Sequence, residues 1–391
     1  MSITHHYDIT IIGGGIQGVA VAQAAAASGY SVLVLEKTAL AAGTSSRSSK
    51  LIHGGLRYLE SGQLNLVYES LKERTTLLRL APSLVKLRPF YLPVYHQTSR
   101  SKLVLRAGLS LYALLAGLGT GSYFRSIPRK AWDQLDGLST QGLQHVFQYW
   151  DAQTDDQALT RAIMHSALSL GAELRCPAEF THATVSANIC EIEFTQATQI
   201  HSCTTNVLIN ASGPWIDKVM QRIAPPPPIY PIELVQGSHL VLKGQLERGC
   251  YYLESPQDRR AIFVLPWKQS ILLGTTETVF EDNPENVLPL AEEENYLLDC
   301  FQHYFPNHPI LVQERFAGLR VLPRSQDNVF NRSREIHLQC DRPQKPRVVG
   351  IYGGKLTVCR ATAQKVLRIV KPSLPIRAPK KDISQLSLEH P

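Results

Sequence analysis

The sequence carries no CxxC pair, and its seven cysteines, Cys176, Cys190, Cys203, Cys250, Cys300, Cys340 and Cys359, are scattered and odd in number. That excludes a disulfide-stapled secreted scaffold and a zinc ribbon, and it reads as reduced thiols in a cytosolic setting, with no metal site. No secretory leader is expected either. MSITHHYDITIIGGG runs straight into a strand and a glycine turn, without a basic start, an apolar stretch and a cleavage site. The mostly apolar stretch LVLRAGLSLYALLAGL covers residues 103–118. At about 1.5 Å per residue a helix of that length falls short of a bilayer core of roughly 30 Å, so it does not span. There is no internal repeat and no low-complexity tract apart from four consecutive prolines, which removes solenoids and long disordered linkers. Lys and Arg are spread along the chain and no RNA-binding motif is present, which argues against a nucleic-acid-binding protein.

What is present is an ordinary globular composition, 44% apolar and 19% charged over 391 residues, long enough for two domains in one unit. The net charge of +7 suits anionic substrates, an anionic membrane surface or nucleic acid, and does not by itself choose among them. DITII at residues 8–12 reads as a buried strand, residues 15–29 as a small-residue helix closed by Gly29, and SVLVLEK at 31–37 as a second buried strand. Strand, glycine turn, helix and strand make a βαβ unit with a parallel sheet. Residues 63–80 place Leu64, Val67, Leu71, Leu77 and Leu78 at helical spacing, and Asp155 to Leu170 gives a further helix ending at Gly171. APPPPIYP at 224–231 cannot be helix or central strand, so it is a stiff connection between domains. Strand patterns follow in SHLVLKG, AIFVLPW, SILLGTTE and PRVVGIYGG.

Gly13, Gly15 and Gly18 form GxGxxG between the first strand and the helix, and Glu36 follows eighteen residues after Gly18. The glycines let backbone approach a pyrophosphate at a helix N-terminus, and an acid at that distance can accept hydrogen bonds from a ribose. This pattern does not separate NAD from FAD.

Further segments do. GTSSRSSKLIHGGLRYLE at 43–60 resembles the signature of the FAD-dependent glycerol-3-phosphate dehydrogenases. The likeness continues through INASGPWID (209–217), QGSHLVL (236–242), AIFVLPW (261–267), LLGTTE (272–277), AGLR (317–320) and YGGKLT (352–357). The resemblance implies an α/β fold of the D-amino-acid-oxidase-like type, with a Rossmann-type FAD-binding domain and a sheet-rich α+β substrate domain. The boundaries expected are 1–62, 151–224 and 343–375 for the FAD domain, 63–150 and 225–342 for the substrate domain, and 376–391 for a tail. It implies FAD contacts from Thr44, Ser45, Ser46, Ser49, Lys50, His53, Gly213, Trp215, Gly353, Gly354, Leu356 and Thr357, beside Gly13, Gly15, Gly18 and Glu36. Thr44, Ser45 and Ser46 can bring hydroxyls to the pyrophosphate, and Gly353 and Gly354, entering a helix, can aim N–H groups at the flavin's pyrimidine edge.

The activity so implied is oxidation of sn-glycerol 3-phosphate to dihydroxyacetone phosphate, with hydride passing to flavin and electrons to a membrane quinone. A dianion needs cations around it, and those matching the motifs are Arg57, Arg320, Arg334 and Lys355, with Tyr58 either orienting substrate or packing in the core. Arg320 and Lys355 also count as catalytic. His239 in QGSH matches the family histidine and is the candidate base, because its ordinary pKa lies near operating pH; His53 is the competitor. The runner-up activity is a related flavin enzyme that oxidises another hydroxy acid or an amine and uses oxygen. Residues 103–118 read either as a buried helix or as one lying in a membrane interface. The resemblance favours the second, a peripheral place on the inner face of the cell membrane with a quinone as partner. VCR follows GGKLT where the family usually has TYR, and the family's helical C-terminal domain is not seen, which leaves dimer contacts and the route to the acceptor open; a homodimer is the candidate assembly.

Overall fold

The computed structural model describes residues 5–117, 121–324 and 335–389. Arg334, expected at the substrate, lies outside them. Strand His5–Ile12 is buried along six of its eight residues, as a strand covered on both faces must be. It pairs in parallel with Val32–Leu35 on one side and with Gln199–Asn210 on the other. Glu173–Arg175 and Val348–Tyr352 extend this parallel array outward. All twelve residues of helix Ile16–Ala27 are buried, and five of its alanines belong to the core shared with helices Asp156–Ser169 and Cys359–Val370. Small side chains let three helices lie close together over one sheet face. Asp155 caps the second of them, its Oδ1 accepting from Ala158 N at 3.0 Å. Strands Glu179–Val185 and Cys190–Gln196 pair antiparallel, and the second of them pairs with the first half of Gln199–Asn210.

A second, larger and mostly antiparallel sheet is built around two long pairs, Val85–Tyr95 with Leu143–Thr154 and Ile232–Lys243 with Val312–Pro323. Helix Ala291–Tyr304 buries Leu297, Cys300, Phe301 and Tyr304 in a core with residues of this sheet. Helix Leu64–Leu80 contributes Leu66, Val67 and Leu71 to another. The proline-rich connection joins Ile223–Ala224 of the first sheet to Ile232–Lys243 of the second. Three strands sit across the boundaries drawn from sequence, among them Leu143–Thr154, which runs past residue 150 within the second sheet. Leu51–Ile52 pairs in the second sheet, and His337–Cys340 pairs with Val348–Tyr352 in the first.

The segment expected as a tail is a strap over the first sheet's helices. Lys380 N donates to Ala27 O (2.8 Å), Leu388 N to Leu80 O (2.7 Å), and the Leu388 side chain is buried in the core. Gly29 has φ +91°, and a Cβ there would lie 2.3 Å from Ala378 O, so the helix cap and the strap both require glycine.

Helix Lys102–Leu115 settles one alternative. Only Leu109, Tyr112 and Ala113 are buried, whereas Leu103, Val104 and Leu114 are 74%, 58% and 61% exposed, so the buried-helix reading is not what the fold contains. No helix among the described residues is long and apolar enough to cross a membrane.

Candidate active site

Between the sheets lies a cavity of about 900 Å³ lined from both sides. At one end the glycine turn supplies bare backbone. Gly13 has φ +109°, and a Cβ on it would lie 2.6 Å from Ala211 O; one on Gly18 would lie 2.0 Å from Gly13 O. Gly18 therefore serves the packing of helix on strand and does not reach the cavity. A Cβ on Gly15 would meet only Ser45 Oγ, at 3.2 Å, and would otherwise project into open space at the helix N-terminus. Glu36 lies just past the second strand, its carboxylate accepting from Gly14 N (2.7 Å) and Thr38 N (2.8 Å).

The serine-rich loop is less uniform than its sequence suggests. Ser45 Oγ accepts from Ile16 N (2.9 Å) and so keeps its proton to give. Thr44 donates its proton to Leu319 O (2.8 Å), so the hydroxyl expected at a pyrophosphate is engaged with backbone. Ser46 donates to Gly43 O and is off the cavity wall. Lys50 is also off it. Its ammonium is buried behind the loop, 2.7 Å from Asp156 Oδ1, and Asp156 also accepts from the Ser48 hydroxyl and N–H. Burial pushes the Asp156 pKa up while Lys50 and Ser48 pull it down. Lys50 thus braces the loop through a buried ion pair, at a position where a flavin contact was expected.

Gly213, Trp215, Gly353, Gly354, Leu356 and Thr357 all line the cavity. Gly354 has φ +108° and lies five residues before helix Cys359–Val370, so the two glycines sit in the link ahead of the helix and not at its terminus. Thr357 Oγ1 accepts from His53 N at 3.1 Å, and the His53 ring meets Phe263 edge-on.

At the other end, Ile232–Lys243 carries His239, stacked on Phe316 with ring centroids 5.0 Å apart. Its Nε2 is 2.9 Å from Ser49 Oγ, so Ser49, expected at the cofactor, bonds the candidate base. Burial, helped by the charges of Arg320 and Lys50, lowers the His239 pKa to about 3, so the imidazole is neutral but its basicity falls well below the near-neutral value expected from sequence. Gly274 of LLGTTE is glycine because a Cβ would lie 2.2 Å from His239 Cδ2. Arg320, on the paired strand Val312–Pro323, donates to Glu277 Oε1 and Thr275 Oγ1, both at 3.0 Å. Burial and nearby Arg57 lower its pKa to about 10. Arg57 Nη1 is 3.7 Å from the same Glu277 oxygen, and Lys355 Nζ is 3.8 Å from the centre of the Tyr58 ring. The fold thus brings Arg57, Tyr58, His239, Arg320 and Lys355 to one end of one cavity.

Sequence reading missed three groups here. Glu277 and Arg260 line the cavity; Glu277 closes the quoted segment LLGTTE and Arg260 immediately precedes AIFVLPW, which was the available signal. Glu293 had none. Its carboxylate accepts from Ser238 Oγ, Gln236 Nε2 and Thr276 Oγ1, each at 2.6 Å, and from Thr278 Oγ1 at 2.8 Å, tying helix Ala291–Tyr304 beneath the strand of His239. Burial opposes its charge, but these hydrogen bonds outweigh burial and hold its pKa below the usual range.

Residues 8–366 match the model of the FAD dependent oxidoreductase family. The chain belongs to that family. Its cofactor is FAD, which the open glycine turn, the fixed Glu36 carboxylate and the long two-sided cavity fit. The chain is 32% identical over 375 residues to a glycerol-3-phosphate dehydrogenase of Pseudomonas aeruginosa, across 94% of this chain and 72% of that protein. It is 31% identical over 374 residues to the D-erythritol 1-phosphate dehydrogenase of Brucella abortus, across 94% and 74%. The solved structure of a glycerol-3-phosphate dehydrogenase from Bacillus halodurans complexed with FAD has the same fold, with a TM-score of 0.76 over 98% of this chain and 68% of that one at 23% identity. This oxidoreductase is therefore a two-sheet flavoprotein with a cationic end to its cavity.

Proposed function

We propose that the chain oxidises the secondary alcohol of a small phosphorylated polyol, sn-glycerol 3-phosphate first among them, to the ketone, and passes the electrons on to a membrane quinone. The observation that carries this reading is the meeting of Arg57, Arg320 and Lys355 with a neutral histidine in one cavity. A phosphate dianion leaving water needs several charge-assisted bonds, and a carboxylate substrate would need fewer. In this reading the first sheet and its helices form the FAD half, and the second sheet the substrate half. The arginines and the lysine hold the phosphate. Tyr58 closes the wall beside Lys355. His239 takes the hydroxyl proton at Nε2, where Ser49 Oγ now sits and holds the ring in place. FAD, when bound, accepts the hydride.

Anaerobic mixing with glycerol 3-phosphate is expected to bleach the bound flavin, while glycerol leaves it oxidised; bleaching by both alike would remove the phosphate from the argument. Erythritol phosphate, tested beside them, reports how long a polyol the cavity takes. Arg320→Ala removes at least one charge-assisted bond, about 1.5–3 kcal/mol, or roughly ten- to a hundredfold in kcat/KM on the phosphorylated substrate. Equal losses on glycerol would assign Arg320 to the fold or to flavin retention.

The place of work in this reading is the inner membrane face. Exposed Leu103, Val104 and Leu114 share helix Lys102–Leu115 with exposed Lys102 and Arg106, a pairing suited to an anionic lipid interface. Leu103→Glu with Leu114→Glu should abolish co-flotation with anionic liposomes while flavin content stays at one per chain, because neither side chain is in the core. Leu111 and Leu115 are half-buried and would make poorer probes. Wild-type protein left wholly at the bottom of the gradient would sink this part of the proposal.

A further inference from the structure

Helix Lys102–Leu115 reaches the interior through three buried residues, of which Leu109 and Ala113 offer only packing. Tyr112 offers a hydroxyl. Its Oη accepts from Gly54 N and donates to Asp151 Oδ2, both at 2.8 Å. The direction is fixed, because the Gly54 N–H can only donate, which leaves the phenolic proton for the carboxylate. Asp151 is held in turn by Arg74 Nη1, 2.6 Å from Oδ1, and both of these charges are buried.

Gly54 is pressed against this network. A Cβ there would lie 2.6 Å from Tyr112 Oη and 2.7 Å from Leu71 Cδ2, so the helix contact places the loop backbone directly. On the loop's far side, His53, Gly55, Arg57 and Tyr58 line the cavity. A Cβ on Gly55 would lie 2.3 Å from the Tyr58 ring, and that ring faces Lys355. Whatever sets Gly54 therefore sets His53, Arg57 and Tyr58 together.

We propose that Tyr112 is a positioning residue for the active-site loop 53–58, its hydroxyl fixing the Gly54 amide between the buried Arg74–Asp151 pair and the groups that meet flavin and substrate. The kinetic part of this inference rests on the function proposed above; the structural part does not.

Tyr112→Phe keeps the ring and its volume but takes the phenolic acceptor from the Gly54 N–H, leaving only the Asp151 carboxylate beside it. In the FAD-loaded protein the visible flavin band should shift, and titration of the apoprotein should show FAD affinity weakened about tenfold. The dissociation constant for orthophosphate, read from the flavin difference spectrum, and the KM for glycerol 3-phosphate should each rise about tenfold, with kcat changed less. Leu109→Ala removes packing from the same helix without touching the hydroxyl. It should lower Tm yet leave flavin spectrum, FAD affinity and orthophosphate binding as they are. The proposal is overturned if Tyr112→Phe lowers Tm alone, or if Leu109→Ala reproduces its spectral and binding changes. If glycerol 3-phosphate does not reduce the wild-type flavin, the substrate reading fails, while FAD affinity and spectrum still decide the role of Tyr112.

Discussion

Gly15→Val is expected to give a folded chain that does not hold FAD. At Gly15 the backbone has φ −79° and ψ 175°, a conformation valine adopts without strain, and the nearest atom to an added Cβ is Ser45 Oγ at 3.2 Å. The two methyl groups then occupy the helix N-terminus, where the proposed site has the pyrophosphate meet backbone N–H groups. Losing two or three charge-assisted bonds of about 1.5–3 kcal/mol each weakens binding by roughly two orders of magnitude or more. Substitution at Gly13 or Gly18 is a poorer test. There an added carbon runs into backbone oxygen at 2.6 or 2.0 Å, so the βαβ unit itself would be damaged. The measurement is the flavin-to-protein ratio after purification, with circular dichroism to show that the fold persists. One flavin per chain at wild-type affinity would mean that the pyrophosphate lies elsewhere.

His239→Ala should slow flavin reduction by on the order of a hundredfold, with FAD still bound, if the ring takes the substrate proton. Stopped-flow absorbance reads this directly, and an unchanged rate would move the role to His53, on the opposite loop. A second readout follows from burial. The His239 pKa falls from an ordinary 6.5 to about 3 in the fold, so between those values the unfolded chain binds one more proton than the native one. This group's contribution to stability is therefore present above about pH 6.5 and lost as pH falls toward 3. Relative to wild type, the alanine variant should be less stable at neutral pH, where it leaves a cavity, and should close part of that gap near pH 4.5. A gap in Tm independent of pH would show that the imidazole is not held neutral.

Much of the site was legible because its parts are local. The glycine turn, the alanine-rich helix and the apolar strands on either side are read within a few dozen residues, through periods of two and of 3.6 and through backbone that only glycine allows. Arg57, Arg320, Lys355 and His239 were found through motif resemblance, and the structure gathers them. Residue type alone misled where a side chain has two plausible partners. Lys50 and Thr44 sit in the same serine-rich loop as Ser45, but a buried carboxylate 106 positions away takes the first and a carbonyl 275 positions away takes the second.

By itself the sequence determined the parallel βαβ unit, the glycine turn, the strands of a second sheet and the kinds of residue available to hold an anion. Each of these is encoded in short-range pattern, where neighbouring residues decide backbone conformation and which face is apolar. Only the tertiary structure decided which hydroxyl keeps its proton, which lysine is locked in an ion pair, and that Glu277 sits between two arginines while Glu293 braces the strand behind them. It also decided that helix Lys102–Leu115 turns Leu103, Val104 and Leu114 outward while Tyr112 reaches the loop of His53. The physical reason is that hydrogen-bond partners, burial and hence pKa depend on atoms brought together from distant parts of the chain, and no local pattern specifies them.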